Sequence, residues 1–232
     1  MPSANAMIEA HGVTKRLPSG DRELTVLEAV DLSIAAGEFL AILGPSGSGK
    51  STLLGLLAGL DRPTEGSVAL AGTRLTGLDE DELALVRRRR VGFVFQAFQL
   101  LANQTAYENV AMPLELTGVP DATERARRAL DEVGLSERAH HYPSQLSGGE
   151  QQRVAVARAF AGEPDVLFAD EPTGNLDEAT GTRVLELLLD LRERHGTTLV
   201  LVTHDARIAA RAERRLHLSG GRVVRDERSA DE

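Results

Sequence analysis

The feature that most limits how this chain can fold is the segment GPSGSGKS, Gly44 to Ser51, which joins an apolar run to a helical run. The run before it, residues 37–44, reads GEFLAILG and predicts a buried strand. The run after it, KSTLLGLLAGL, has its apolar residues at helical spacing. A strand that passes through a glycine-rich turn directly into a helix is typical of sheets built mostly from parallel strands.

The rest of the chain repeats this alternation of short strands and helices. We predict strands at 66–72, 91–96, 165–171 and 197–205, helices at 79–90, 178–196 and 206–211, and a closing hairpin around Gly220 and Gly221. Strands alternating with helices predict a parallel sheet with crossover helices. From residue 97 to about 162 the patterns are helical only, which predicts a helical insertion.

Cap residues mark two helices inside that insertion. Thr105 precedes AYENVAMPL, and Asp121 with Glu124 has the spacing of a capping box. Upstream, the four arginines at 87–90 end a helix whose first turn is acidic, which favours a solvated helix end over a nucleic-acid site.

Composition excludes several classes of function. A chain of 232 residues can form one large domain or two small ones. The net charge of −9 argues against a general nucleic-acid binder, and the absence of cysteine excludes disulfides, thiolate zinc sites and iron–sulfur clusters. The longest apolar stretch, Leu53 to Leu60, is far shorter than the roughly 20 residues that span a bilayer. The first residues lack a secretory signal pattern, so we expect a cytosolic chain whose membrane role, if any, comes through a partner.

The glycine-rich segment has the spacing G-x-x-x-x-G-K-[ST], in which successive backbone N–H groups point at phosphate oxygens. Among 26 basic residues only Lys15 and Lys50 are lysine, and Lys50 stands where a compact charge would reach the terminal phosphates. A glycine-rich turn could fit this pattern by chance, but the strand before it and the helix after it favour phosphate binding. The predicted nucleotide-binding residues are Gly44, Pro45, Ser46, Gly47, Ser48, Gly49, Lys50, Ser51 and Thr52.

Polar residues also follow three other predicted strands. Asp170 and Glu171 follow VLFA, His204 follows LVLVT, and Gln96 follows VGFVF. Ligands of open α/β sheets bind at the carboxyl ends of strands, so these side chains are candidates for one site.

Each of these residues has a candidate role beside a nucleotide. Asp170, with Ser51 and Gln96, suits Mg²⁺, and Glu171 is placed to polarise a water for attack on the γ-phosphate. His204 can contact the γ-phosphate and orient that water, and Gln96 can contact both the Mg²⁺ and the water. Taken singly, each residue also fits a structural role, such as a strand-end cap or a satisfied histidine. The other five histidines are predicted to be surface residues.

A second helix start able to bind an anion lies in LSGGEQQRVAVARAF, residues 146–160. Ser147 as N-cap with Glu150 as its third-residue partner makes a capping box. That local interpretation does not explain why both Gly148 and Gly149 are glycine.

Taken together, these motifs resemble the nucleotide-binding subunits of ABC transporters over residues 7–225. Gly44–Ser51 resembles the Walker A motif, Val166–Glu171 Walker B, Gln96 the Q-loop and His204 the switch histidine. LSGGE resembles the family signature, and Asn175–Asp177 resembles the D-loop. Asp177 is therefore a further candidate nucleotide-binding residue. ADEPTGNLD and the region from Gly92 to Asn109 are similar to the branch of MacB-, LolD- and FtsE-type proteins, closest to YbbA-like members.

The resemblance implies a fold and a partner. It implies an α/β P-loop NTPase core of the RecA-like kind, with an antiparallel β subdomain and a helical signature subdomain. One ATPase domain would cover 7–228, with the core at 7–96 and 163–228 and the helical subdomain at 97–162. Two copies would face head to tail, so that ATP and Mg²⁺ bound by one copy are capped by Ser147, Gly148 and Gly149 of the other.

The resemblance also implies where the protein works. The ATPase would lie peripherally on the cytoplasmic face of the inner membrane, bind an integral-membrane permease of the FtsX or MacB kind, and not bind nucleic acid. Residues 98–101 are candidates to line the docking groove for that permease. An alternative is an FtsE-type structural clamp that moves no cargo. A third class, soluble ABC ATPases of DNA or ribosomes, usually has two cassettes or a long coiled coil, and this chain has no heptad run.

One position departs from the family pattern. Where many members have an aromatic residue that stacks on adenine, this chain has Leu17. Recognition of the base would then depend on apolar packing alone, which leaves the preference for ATP over GTP open.

Overall fold

The structure is a computed structural model that describes residues 6–20 and 22–229. Within these residues the strands are β1 (Ala6–Ser19), β2 (Arg22–Ala35), β3 (Phe39–Leu43), β4 (Glu65–Leu70), β5 (Thr73–Arg74), β6 (Val91–Phe95), β7 (Val166–Asp170), β8 (Thr198–Val202), β9 (Arg214–Ser219) and β10 (Arg222–Arg228). The α-helices are α1 (Lys50–Leu57), α2 (Glu80–Arg90), α3 (Ala106–Leu116), α4 (Ala122–Glu132), α5 (Gly148–Phe160), α6 (Glu178–His195) and α7 (Ala206–Ala209). Two 3-10 turns lie at Ser136–Arg138 and Pro143–Gln145.

The chain divides into two compact units, and the first holds the described residues up to Arg87 and from Thr198 onward. Its central strand is β3, the apolar run FLAIL, with β8 and β9 parallel to it on either side and β10 antiparallel to β9. Strands buried on both faces are continuously apolar, and all five residues of β8 are buried. The turn between β9 and β10 consists of Gly220 (φ 54°) and Gly221 (φ 76°), a left-handed pair that matches the twist of a hairpin.

The first unit also contains an antiparallel sheet in the order β2-β1-β4-β5. Strands β1 and β2 form a long hairpin with several register shifts. Inward residues such as Ile8, Val13 and Ile34 are fully buried, while alternate residues face solvent. This is the antiparallel β subdomain that the family resemblance implies.

The second unit, Arg88–Thr197, contains the parallel pair β6 and β7 and four helices. Helices α3, α4 and α5 pack on one another, and α5 also packs on β6 and α6. The described residues from 97 to 162 contain helices and turns and no strand, as predicted. The structure therefore has the α/β class expected from the sequence, while the subdomain boundaries at 97 and 162 remain a prediction.

Most predicted caps are correct and one is wrong. Thr105 and Glu108 form a complete capping box on α3. Asp121 precedes α4 with φ 59°, and its side chain makes no cap hydrogen bond. A capping side chain reaches the first turn from an extended backbone, and the left-handed conformation of Asp121 removes that reach. The predicted pairing of Asp121 with Glu124 is therefore wrong.

The predicted solvated end of α2 is correct for three of its four arginines. Arg88, Arg89 and Arg90 are exposed, whereas Arg87 is half-buried and donates to the Gly59 carbonyl and to Glu80. The five histidines predicted at the surface divide similarly, since His141 and His217 are half-buried and the other three are exposed. Of the helices in the described residues, none is long and apolar enough to cross a membrane.

Candidate functional site

In the first unit, the loop between β3 and α1 has a backbone that only glycine can form. Gly44 (φ 153°) and Gly49 (φ 98°) have dihedrals that L side chains rarely adopt. A Cβ atom on Gly49 would lie 2.9 Å from the Val26 carbonyl oxygen, and one on Gly44 would overlap the Leu218 carbonyl. The loop is thus pressed against β2 and the β9–β10 hairpin, which the glycines make possible.

Polar groups converge on this loop from the start of α1. The buried Lys50 donates from Nζ to the carbonyl oxygens of Gly44 and Pro45, at 3.0 Å each. Ser48 is 3% exposed, and its Oγ is buried without a hydrogen-bond partner. The first turn of α1 carries no acidic residue, so its positive end is not neutralised. An ammonium, an unpaired hydroxyl and free N–H groups are donors that fit a phosphate.

The β9–β10 turn holds the loop at 44–51 in place, which the sequence analysis missed. The Gly221 N–H donates to the Ser48 carbonyl (3.2 Å), and the Glu28 N–H donates to the Gly221 carbonyl (2.9 Å). A Cβ atom on Gly221 would lie 2.5 Å from the Val26 carbonyl oxygen. The Gly-Gly pair at 220 and 221 predicts the turn, and it is also the sequence signal of this close approach.

His204 lies at the same sheet edge as the loop at 44–51. Strand β8 runs parallel to β3 with Ile42 opposite Val202, and the Thr203 N–H donates to the Ile42 carbonyl (3.2 Å). Gly44 and His204 each lie two residues beyond that pair, and the His204 side chain is exposed. The structure therefore brings these two predicted residues to one edge of the first unit.

In the second unit, strands β6 and β7 bring Gln96 and the two carboxylates to a common edge. Phe95 lies opposite Asp170 in the parallel register, so Gln96 and Glu171 are the next residues on each strand. Glu171 has φ 46°, a left-handed conformation that is rare for a glutamate and is often found at functional sites.

The Gln96 amide is bound to the segment that follows Glu171. Gln96 Nε2 donates to Asn175 Oδ1 (3.0 Å), and Asn175 Nδ2 donates to the Gln96 carbonyl (2.9 Å). A Cβ atom on Gly174 would lie 2.8 Å from Gln96 Nε2. The side chain is thus oriented by Asn175 and by the space that Gly174 leaves.

Gln152 supports both of these strand ends and was missed by the sequence analysis. It is fully buried on α5, and its Nε2 donates to the carbonyls of Phe95 (3.3 Å) and Pro172 (2.5 Å). Phe95 precedes Gln96, and Pro172 follows Glu171. A polar residue among the apolar positions of a helix was the signal available in the sequence.

The helix start at Ser147 is a complete capping box. Ser147 Oγ accepts from the Glu150 N–H (3.3 Å), and Glu150 Oε2 accepts from the Ser147 N–H (2.8 Å) and hydroxyl (2.7 Å). These hydrogen bonds from Ser147 hold the pKa of Glu150 below its usual range. The predicted local role of both residues is confirmed.

The two glycines after Ser147 are in different surroundings. A Cβ atom on Gly149 would lie under 3.0 Å from Thr180 Cγ2 on α6, whereas one on Gly148 would make only ordinary contacts with Leu176 and Phe98. Packing against α6 therefore explains Gly149, which the capping box does not. No such packing explains Gly148.

Asp177 is the N-cap of α6, with its Oδ1 accepting from the Thr180 N–H (3.0 Å). Hydrogen bonds from the Thr180 side chain and N–H hold the pKa of Asp177 below its usual range. The start of α6 and the start of α5 thus meet through Thr180. Whether Asp177 also contacts nucleotide stays a prediction.

Leu17 lies near the tip of the β1–β2 hairpin, opposite Leu24 in the register. Their exposed fractions are 41% and 57%, which makes a small accessible apolar pair. In residues 6–20 and 22–229 no group of three or more His, Cys, Asp or Glu side chains is arranged to hold a metal ion. The predicted Mg²⁺ ligands include a hydroxyl and an amide, which such a group does not contain.

Comparisons with known proteins agree with these motifs. A sequence profile described as ABC transporter matches residues 27–174. An uncharacterised ABC transporter ATP-binding protein, YbbA of Escherichia coli K12, is 51% identical over 225 residues, covering 96% of this chain and 98% of YbbA. The macrolide export ATP-binding/permease protein MacB of Rhodopseudomonas palustris is 47% identical, covering 99% of this chain and 35% of MacB.

A solved structure is equally similar. The ATP-binding cassette MJ0796, in a dimeric post-hydrolysis state bound to ADP and Pi, superimposes with a TM-score of 0.89 at 43% identity. The alignment covers 97% of this chain and all of that one. The resemblance to the MacB and YbbA branch is therefore confirmed.

Proposed function

Because this chain belongs to the ABC transporter ATP-binding family, we propose that it binds and hydrolyses ATP to drive a membrane permease. The observation that carries the proposal is the loop at 44–51, whose glycines, buried lysine and unpaired Ser48 hydroxyl fit a triphosphate. ATP as the nucleotide is supported by the ADP and Pi bound to the similar cassette.

Phosphate binding is assigned to the first unit. The backbone N–H groups of residues 46–52 would donate to the β- and γ-phosphates, and Lys50 would leave the carbonyls of Gly44 and Pro45 to contact them. Lys50 can change partners in this way because the carbonyls of Gly44 and Pro45 are neutral. A neutral carbonyl binds an ammonium less strongly than a phosphate does.

A Mg²⁺ ion would be held by Ser51, Asp170 and Gln96. The ion would supply positive charge between the β- and γ-phosphates. Ser51 is exposed in the first turn of α1, and Asp170 and Gln96 end neighbouring strands of the second unit. Hydroxyl, carboxylate and amide oxygens are ligands that Mg²⁺ accepts.

Hydrolysis is assigned to the residues at the strand ends. Glu171 accepts a proton from a water whose oxygen attacks the γ-phosphorus, and the bond to the bridging oxygen breaks with its electron pair leaving on ADP. His204 contacts the γ-phosphate, and Gln96 orients the water. Lys50 stabilises the charge that develops on the transferred group.

The helix start at Ser147 is assigned to the nucleotide of a second copy. The loop at 44–51 is already assigned to the chain's own nucleotide, so this second helix start is available to another one. Ser147, Gly148 and Gly149 would then bind the γ-phosphate held by the partner. The dimeric state of the similar cassette supports this arrangement.

Coupling to a membrane is assigned through a permease. The similarity to MacB, whose name joins an ATP-binding part to a permease, supports such a partner for this chain. Loss of the γ-phosphate removes the contact that favours dimer closure, and the resulting motion would be passed to the permease. The protein would lie at the cytoplasmic face of the inner membrane through that contact.

The test is Glu171→Gln, which removes the proton acceptor and keeps the size of the side chain. We expect the variant to bind ATP as before and to form a stable dimer on gel filtration with ATP. Its hydrolysis rate should fall by about 100-fold or more, the usual scale for loss of a general base. Glu193→Gln, an exposed glutamate on α6, is the matched control and should keep the parental rate. Parental hydrolysis by Glu171→Gln would exclude Glu171 as the base.

A further inference from the structure

The segment after Gln96 contains a strained turn. Phe98 (φ 56°) and Gln99 (φ 51°) are consecutive residues in the left-handed region. L residues with side chains rarely adopt this conformation, and two in succession persist only where the surrounding structure holds them. Two local backbone hydrogen bonds, from the Phe98 N–H to the Phe95 carbonyl and from the Gln99 N–H to the Ala97 carbonyl, belong to this turn, and an external contact adds to them.

That contact comes from Arg158 on α5. One guanidinium nitrogen donates to the Phe98 carbonyl (3.0 Å) and the other to the Gln99 carbonyl (2.6 Å). A planar fork that spans two neighbouring carbonyls is a geometry that arginine provides and lysine does not.

Arg158 is an unusual residue to find partly buried. Burial lowers its pKa, and among the described residues it makes no ion pair with a carboxylate. Burying a cation is costly unless it is compensated, and here the two carbonyl dipoles are the compensation. The side chain is therefore placed for this turn and not for a surface charge.

A second contact from the same helix lies on the other side of Gln96. Gln152 donates to the Phe95 carbonyl, so α5 binds the loop immediately before Gln96 and again two residues after it. The same helix begins next to Ser147, and Arg158 lies ten residues beyond Gly148, about 15 Å along the axis. One rigid helix thus connects the candidate γ-phosphate contact with both ends of the Gln96 loop.

We propose that Arg158 is a positioning residue, which holds the left-handed Phe98–Gln99 turn so that Gln96 and the start of α5 move as one piece. The consequence for catalysis rests on the proposed function, because Gln96 is assigned there to the attacking water. Arg158 itself touches no nucleotide. Its effect on turnover comes through the position of Gln96.

The first test measures the loop and needs no nucleotide. In Arg158→Met, which keeps most of the apolar stem, amide hydrogen exchange of residues 97–101 should accelerate at least tenfold, with the exchange of β6 and β7 unchanged. Arg128→Met is the matched control, because Arg128 is an exposed arginine of the same unit. It should leave the exchange of this loop unaltered.

The second test is rescue by glycine. Gln99 is exposed, so Gln99→Gly removes no packing and lets the backbone adopt φ near +51° without strain. In Arg158→Met with Gln99→Gly, exchange should return to within about threefold of the parent. A merely structural arginine would not be rescued by a change in the loop.

The third test measures turnover of ATP with magnesium. Arg158→Met should lower kcat about tenfold with KM within twofold, because the loop at 44–51, to which phosphate binding is assigned, lies in the other unit from Arg158. Gln99→Gly should restore most of kcat. The kcat of Arg158→Lys should lie between those of the parent and Arg158→Met. If Arg158→Met does not fold, Arg158→Lys is used in its place.

The outcomes distinguish the positioning role of Arg158 from the proposed ATPase function. Unchanged loop exchange in Arg158→Met, or failure of Gln99→Gly to restore it, overturns the positioning role of Arg158. A parent protein without ATPase activity overturns the proposed function but leaves the exchange result valid. Altered exchange with unchanged kcat overturns the link between this turn and Gln96 in catalysis.

Discussion

Replacing Gly148 and Gly149 separately by alanine should divide ligand binding from packing. The two residues are neighbours in the first turn of α5, yet a Cβ atom is accommodated at 148 and overlaps Thr180 Cγ2 at 149. Neither glycine needs a left-handed backbone, because neither has a positive φ. The two substitutions therefore differ only in what the new methyl group meets.

The expected stabilities follow from that difference. In a helix, alanine is favoured over glycine by about 0.5–1 kcal/mol, so Gly148→Ala should be neutral or slightly stabilising. At 149 the same gain is opposed by about 1–3 kcal/mol of overpacking, because a β-branched threonine turns away only at a cost. With middle values for the two terms, the net loss is about 1 kcal/mol, which corresponds to a Tm lower by about 2–4 °C in a chain of this size.

Thermal unfolding without nucleotide measures these changes. Thr180→Ser removes the methyl group that would be overlapped, so the double variant of Gly149→Ala and Thr180→Ser should recover most of the lost stability. Equal Tm values for the two single alanine variants, or no recovery in the double variant, would refute the packing explanation of Gly149.

Dimer formation with ATP tests whether Gly148 lies at the contact with the partner's nucleotide. In the background of Glu171→Gln, Gly148→Ala should weaken ATP-dependent dimerisation about tenfold or more, which is a loss of about 1.4 kcal/mol. The reason is that Cα–Cβ bonds in a helix tilt toward its N-terminus, so the added methyl group would narrow the approach of the partner's γ-phosphate to the first N–H groups. If Gly148→Ala dimerises like the parent, the helix start at Ser147 does not bind nucleotide.

Two further predictions concern stability, one in each unit. Gly92→Ala should lower Tm by about 2–8 °C, because its Cβ atom would lie 2.7 Å from the Ala159 carbonyl oxygen in a buried position, and a parental Tm would contradict this. Asp226→Asn should cost about 1 kcal/mol at pH 7, since hydrogen bonds from Arg214 hold the pKa of Asp226 below its usual range and solvent screens this partly exposed carboxylate. A lowered folded pKa contributes stability above the unfolded value near 4, so the difference between Asp226→Asn and parent in urea unfolding should shrink below pH 4. A difference that grows on acidification would contradict that sign.

The motifs of the site could be predicted because each is local in the sequence. The strand, turn and helix around Gly44 to Ser51, and the capping box at Ser147, depend on residues within one short segment. Asp121 was predicted wrongly because its neighbours have cap spacing while its backbone is left-handed, which spacing does not reveal. Arg158 and Gln152 were not assigned because their partners lie 60 and 57 residues away in the chain.

Most of the contacts that were missed share a physical cause. In these, one partner is a backbone carbonyl, such as that of Leu218 against Gly44 or that of Phe98 against Arg158, whereas Gly149 packs on the Thr180 side chain. Because every residue has a backbone carbonyl, the sequence does not show which carbonyl is in contact. The glycine or arginine opposite that carbonyl is visible in the sequence. Only one of the two residues in such a contact can therefore be identified from the sequence. It follows that side-chain changes at Leu218 should act through the core, while Gly44 admits no larger residue without moving the hairpin that carries Gly221.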